Sequence, residues 1–286
     1  MSVFSNLAHK TVMVENTYVD SDNLIEKLQH GWWIEPDIGG YRMLTVVSAD
    51  SIDYLNERLK PITHLASKHF DHIFRNISED VVIDGELFGF DWFKLTPEKR
   101  RDGIDQLIKK ATYFVYDILP LSDFLTQNSI PICLLQRRDM LQSAYQHLRG
   151  DGRVSLVKYD IVKSLDDAEE LAAGWIREHF GGGILKDPES PYVFDKSNYW
   201  IHIKPSTAET FKCISAIQGS RQLEAIRISV NNVTTDVSAG FSEVQRKQFH
   251  HRPDLIINKP VDIKYQSMDN LGKLVLPRFV SVRYDL

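Results

Sequence analysis

The sequence predicts an α+β domain with a mixed or antiparallel sheet, followed by a small all-β barrel. Three observations carry this reading. From about residue 31 to 204, apolar runs of strand length alternate with amphipathic helical stretches. Near Lys204-Pro205-Ser206-Thr207 the texture changes. Beyond that point five or so short β-rich segments fill about 80 residues.

In chain order, strands are expected at Trp32–Glu35, Arg42–Val47, Val81–Leu87, Tyr113–Asp117, Ile184–Lys186 and Trp200–Lys204. They are short, rich in Val, Ile, Phe or Tyr, and bounded by Gly, Pro or Asp. Helices are expected at Pro97–Lys110, opened by Thr96, at Gln136–Leu148 and at Ser164–His179. In the last of these Ser164 stands three residues before Asp167, an acidic variant of the capping box. Its apolar residues Leu165, Ala168, Leu171, Ala172 and Trp175 recur at helical spacing. After the change of texture come Phe211–Ile217, Glu224–Asn231, Asp254–Ile257, Val261–Tyr265 and Arg278–Arg283 as strands. Gly219-Ser220, Asn231-Asn232, Asp269-Asn270 and Gly272 supply the turns. This is the size of a small Greek-key barrel such as an OB-fold. The domain boundary is placed at about residue 206, giving domains 1–206 and 207–286.

Composition narrows the class. A chain of 286 residues exceeds one comfortable hydrophobic core. With 43% hydrophobic and 26% charged residues it is neither disordered, collagen-like nor a disulfide-stapled mini-protein. No stretch approaches the ~20 apolar residues that span a bilayer, so no membrane association is expected. The opening MSVFSNLAHKTVMVENTYVD lacks a basic segment followed by an apolar one, so no secretory signal is expected. Cys133 and Cys213 form no CxxC pair, which suits a reduced, cytoplasmic chain. The formal net charge of −5 argues against a surface that grips phosphates all over, while leaving room for local basic grooves.

Several segments then fall in a distinctive order. Glu35-Pro36-Asp37-Ile38-Gly39-Gly40-Tyr41-Arg42 comes first, then Asp84-Gly85-Glu86-Leu87 and Phe114-Val115-Tyr116-Asp117. Gly181-Gly182-Gly183-Ile184-Leu185-Lys186 and Trp200-Ile201-His202-Ile203-Lys204 follow, and Val275-Leu276-Pro277-Arg278-Phe279 closes the series. Together they resemble the covalent nucleotidyltransferases, specifically the small phage or viral ATP-dependent DNA ligases, over roughly residues 30 to 286. The resemblance implies an ATP-grasp-like nucleotidyltransferase domain with mixed or antiparallel sheets, joined to an OB-fold. It also implies ATP and Mg²⁺ as cofactors of the family, with a lysine that attacks the α-phosphate to form a phosphoramidate.

The family's pattern reads E-x-K-x-D-G-x-R, D-G-E, E-G-x-x-x-K, W-x-K-x-K and R-x-P-x-F. Here the attacking Lys position is Asp37, the following Asp is Gly39, and the metal-holding Glu is Gly181. The first Lys of W-x-K-x-K is His202, and the leading Arg of the last segment is Val275. Glu35, Arg42, Glu86, Tyr116, Lys186, Trp200 and Lys204 are kept. A carboxylate at 37 forms no phosphoramidate, and it places negative charge where the α-phosphate would sit. At ~4 Å and an effective dielectric of ~20, two like unit charges repel by ~4 kcal/mol.

The resemblance therefore points to a ligase-derived pseudoenzyme with no functional catalytic residue, no cofactor and no metal site. Its nucleotide-binding remnant is Glu35, Arg42, Glu86, Tyr116, Lys186 and Lys204. Two partner classes stay open: nicked or duplex DNA, contacted through Arg246, Lys247, Lys264 and Arg278, or a protein. One alternative is an active or split ligase that uses another lysine, although Lys10, Lys27 and Lys60 stand outside the motif register. A third is a noncovalent nucleotide sensor.

Bland readings compete with several of these residues. Lys186 and Lys204 could be surface lysines, and Trp32-Trp33 reads as core. Gly181-Gly182-Gly183 lacks the GxxxxGK[ST] pattern and reads as a turn. His64, His69, His72, His250 and His251 read as solvated faces rather than ligands. Lys99-Arg100-Arg101, flanked by Glu98 and Asp102, reads as a mixed surface.

Overall fold

A computed structural model describes residues 11–16, 21–89, 108–148 and 152–284. The chain forms two compact units: the described residues of 1–16, 33–161 and 175–202, and those of 17–32, 162–174 and 203–286. Among the described residues no helix is long and apolar enough to cross a membrane.

The first unit holds two five-stranded sheets. One runs β4 (Ile52–Asn56), β3 (Tyr41–Val47), β5 (Val81–Phe88), β6 (Thr112–Pro120) and β7 (Val154–Leu156). The other runs β1 (Val14–Asn16), β10 (Lys196–Ile203), β9 (Gly182–Lys186), β2 (Trp32–Asp37) and β8 (Asp160–Val162). Alternation along β3 explains how one strand serves two cores. Met43 and Val47 enter a cluster that contains Phe70 and Phe74 of α2 (Thr63–Phe74) and Leu141 of α4 (Leu134–Leu148). Leu44 and Val46 point the other way, into a cluster with Ile184 and Trp200 of the second sheet. Arg42 shares the parity of Leu44, so it faces the second sheet. On β5, Val82 joins that same cluster, and Asp84 and Glu86 share its parity. Trp32 and Trp33 are buried, and Trp33 stacks on Tyr159 at 3.9 Å, a core role for this pair.

The second unit contains α1 (Ser21–Leu28) and a sheet in the order β13 (Val233–Val237), β12 (Leu223–Val230), β11 (Thr207–Gln218), β14 (Pro260–Tyr265), β17 (Arg278–Val282). The sheet is open rather than a closed barrel: among the described residues an isolated parallel bridge, Ala239 to Arg278, is what links its two edges. Its core gathers Cys213, Ile226, Ile228, Phe249, Ile263 and Phe279. Phe241 stacks on Phe279 at 4.3 Å, and Phe249 meets Phe279 edge-on.

Some expected elements differ. Asp254–Ile257 is no strand: Pro253–Leu255 is a 3-10 turn after α6 (Glu243–His251), because Pro253 fixes φ at the first helical position and lacks a ladder donor. The helix over Ser164–His179 is α5 (Leu165–Arg177), with the Asp167 amide donating to Ser164 Oγ at 3.1 Å. The helix over Gln136–Leu148 begins two residues earlier, at Leu134. The helix α3 (Leu121–Thr126) follows Pro120. The expected helix Pro97–Lys110, with Thr96 and the basic run Lys99-Arg100-Arg101, lies outside the described residues apart from a helical turn at 108–110. Lys10 lies outside them as well.

Candidate functional site

The facing sheets of the first unit bring Glu35 and Asp37 of β2, Ile184 and Lys186 of β9 and Trp200 of β10 opposite Arg42 of β3, Glu86 of β5 and Tyr116 of β6. These residues line one cavity, together with Glu15. The antiparallel register of β2 on β9 pairs Trp33 with Lys186, Glu35 with Ile184 and Asp37 with Gly182. Because side chains alternate, Glu35 and Asp37 share a face of β2.

Two of the retained cations, Arg42 and Lys186, are each answered by an internal carboxylate. Arg42 makes a two-pronged pair with Asp84, Nε at 2.9 Å and Nη2 at 2.6 Å. Lys186 Nζ donates to Glu35 Oε2 at 2.6 Å, and Arg138 donates to the other oxygen of the same carboxylate. All three members of that triad are buried. Lys186 Nζ also stands 4.0 Å from the Trp200 ring centre and 4.4 Å from that of Tyr116. Burial, with the Arg138 and Arg42 guanidinium groups adding repulsion, holds the Lys186 amine well below its ordinary pKa.

The four first-unit positions that depart from the family pattern also meet. Asp37 Oδ2 stands 2.9 Å from His202 Nε2. Asp37 Oδ1 accepts from the Gly39 amide at 3.0 Å, a local turn that Gly39 completes in the left-handed region at φ +62°. The Gly181 amide donates to the Asp37 carbonyl at 2.7 Å, and a Cβ at 181 would collide with the Asp37 carboxylate. Glu86 accepts from the Gly40 amide at 2.8 Å. Burial pushes the Glu86 carboxyl up to about 7; Asp37 and Glu15 add to this, against the Gly40 amide and Arg42.

The cavity left between these groups is about 30 Å³, room for one or two water molecules. The buried indole N–H of Trp200 has no hydrogen-bond partner among the described residues. Among the described residues no group of three or more His, Cys, Asp or Glu side chains converges to hold a metal ion.

The remaining expected positions sit elsewhere in the chain. Lys204 is exposed just past β10. Val275 is buried in β16 (Leu274–Val275), opposite Ser267 of β15 (Ser267–Met268). Lys247 is exposed on α6. Arg246 is engaged in holding the second unit together: its guanidinium donates to the carbonyls of Leu223, Glu224 and Ser238. Lys264 donates to Asp166 at 2.7 Å, and Arg278 donates to Glu169 at 2.6 Å. Sequence reasoning missed Arg138, the second cation on Glu35. No pattern signalled it, since the two partners lie 103 residues apart.

Comparisons with known proteins follow this geometry. The family model described as the ATP dependent DNA ligase domain matches residues 12–204. DNA ligase 4 of Coccidioides immitis is 24% identical over 211 residues, which cover 63% of this chain and 21% of that protein. A DNA ligase of Archaeoglobus fulgidus is 22% identical over 181 residues, 60% of this chain and 31% of its own length. The chain thus spans about a fifth of the length of the ligase 4 protein and under a third of the archaeal one. Among solved structures, the ATP-dependent DNA ligase from bacteriophage T7 in complex with ATP is similar with a TM-score of 0.57 at 16% identity. That match covers 97% of this chain and 100% of the other, and is a likeness of fold.

Proposed function

The chain belongs to the ATP-dependent DNA ligase domain family, and from that premise we propose that it is a DNA-binding member that neither adenylates itself nor seals nicks. One observation carries the reading: at the position of the attacking lysine stands Asp37, held by His202 at 2.9 Å and by the Gly39 amide at 3.0 Å. The residues do not fit ATP with its metal. No amine stands at position 37, and Gly39 and Gly181 offer no carboxylate. Lys186 and Arg42 are already matched by Glu35 and Asp84.

We assign residues 1–206 as the nucleotidyltransferase-type domain and 207–286 as an OB-type domain. A partly open five-stranded frame, with α6 between its third and fourth strands and the Ala239–Arg278 bridge near its edges, supports that assignment. Family membership supports DNA as the partner; the net charge of −5 argues against a surface that grips phosphates all over.

The test is incubation with radiolabelled ATP and Mg²⁺ or Mn²⁺, followed by intact-protein mass spectrometry. The expected result is no AMP adduct and no sealing of a nicked duplex. A second reading, a ligase that adenylates a different lysine, is favoured by Lys186, whose depressed pKa in the cleft is what an activated amine requires. Its engagement with Glu35 places that reading second. An adduct mapped to Lys186 would replace the first reading with the second.

A further inference from the structure

In the second unit three donors converge on one carboxylate. Ser206 Oγ donates to Glu169 Oε2 at 2.7 Å, Lys264 Nζ lies 3.2 Å from that oxygen, and Arg278 Nη2 donates to Oε1 at 2.6 Å. Arg278 Nη2 also lies 3.3 Å from Ser206 Oγ. Asp166, one helical turn before Glu169 on α5, takes a further bond from Lys264 at 2.7 Å and stands 3.6 Å from Arg278. The inner pair is buried, with the side chains of Glu169 and Arg278 9% and 10% exposed, whereas Asp166 is 74% exposed.

A hydroxyl, an ammonium and a guanidinium aimed at one point form a donor set for an anion with several oxygens. A carboxylate uses the same donors that a phosphate oxygen would. Two carboxylates against two cations leave the cluster formally neutral, so its field does not draw in a polyanion.

We propose that Ser206, Lys264 and Arg278 form a phosphodiester-binding site, and that the first turns of α5 fill it with the Glu169 carboxylate. The helix is then an internal competitor: a nucleic-acid phosphate occupies the site after displacing Glu169, with Asp166 as the outer guard. This inference rests on the reading of the chain as a DNA binder, and two independent measurements separate them.

The first measurement is fluorescence anisotropy with a labelled nicked duplex across a salt series, for the native chain, Glu169→Gln and Asp166→Asn/Glu169→Gln. The variants are expected to bind about tenfold more tightly. The released Lys264 and Arg278 are expected to steepen the slope of log K against log salt by about two. Adding Lys264→Gln to the double variant is expected to reverse the gain. The second measurement is the thermal midpoint with and without inorganic phosphate, which is expected to rise for Glu169→Gln and stay level for the native chain.

Phosphate stabilisation of the variant without DNA binding by any form would keep the anion site and remove the DNA reading. Equal DNA affinity and slope in all forms, with no phosphate effect, would overturn the inference. Should Glu169→Gln fail to fold, Asp166→Asn alone, at an exposed side chain, carries both measurements in the same directions.

Discussion

Asp37 fills the space that a side chain at Gly181 would need, so the two positions are sterically coupled across the β2–β9 pair. Gly181→Ala should cost about 1–3 kcal/mol in the native background, since the carboxylate must leave its place between His202 and the Gly39 amide. In an Asp37→Ala background that cost should fall, giving a coupling of about 1 kcal/mol in a double-mutant cycle read by urea denaturation. Equal costs in the two backgrounds would show that something other than the carboxylate limits position 181.

The buried triad makes an ordered prediction. Glu35→Gln leaves Lys186 and Arg138 as unmatched buried cations and should cost about 3–5 kcal/mol. Lys186→Met leaves Glu35 paired with Arg138 one to one and should cost less, about 1–2 kcal/mol. Denaturation midpoints give the ranking, and the reverse order would mean that Lys186 rather than Glu35 organises the triad.

Glu86 links stability to pH. Its carboxyl titrates at about 7 in the folded chain, above the ordinary value of 4.5, so the folded state holds a proton that the unfolded state has lost between those values. Stability from this group is therefore full below about pH 4.5, declines as pH rises to 7 and levels off above it, a change of about 3 kcal/mol. Thermal melts of the native chain and Glu86→Gln from pH 5 to 8 should differ in slope over this window. Parallel curves would remove Glu86 as the titrating group.

The helix α6 begins with a capping box: Ser242 Oγ accepts from the Gln245 amide at 3.2 Å, and the Gln245 side chain accepts from the Ser242 amide at 2.8 Å. Ser242→Ala should lower stability by about 1 kcal/mol, read as a shift of the urea midpoint with an unchanged slope. A loss within error would mean that Phe249, buried under Phe241 and Phe279, carries the helix without its cap.

The β3 and β5 segments were legible as continuous apolar runs of strand length because each strand buries apolar residues on both faces. The helix Glu243–His251 was missed because Phe249 alone of its residues is buried, which leaves almost no apolar stripe. Ser242 and Gln245 were the available signal. Leu255-Ile256-Ile257 looked like a strand, yet Pro253 and the carbonyl-to-amide closures back to it make a turn. At the site, the departures at Asp37, Gly39, Gly181 and His202 were each visible, but their mutual contact was not. It depends on β9 and β10 meeting β2 from about 150 residues away. The pairing of Lys264 and Arg278 with α5 was equally hidden, since charge type alone does not reveal whether a cation is already matched.

Glu35 on β2 is the common anchor of Lys186 on β9 and Arg138 on α4, so one carboxylate ties two strands and a helix into a single buried joint. Any substitution at that joint is therefore felt by all three elements at once.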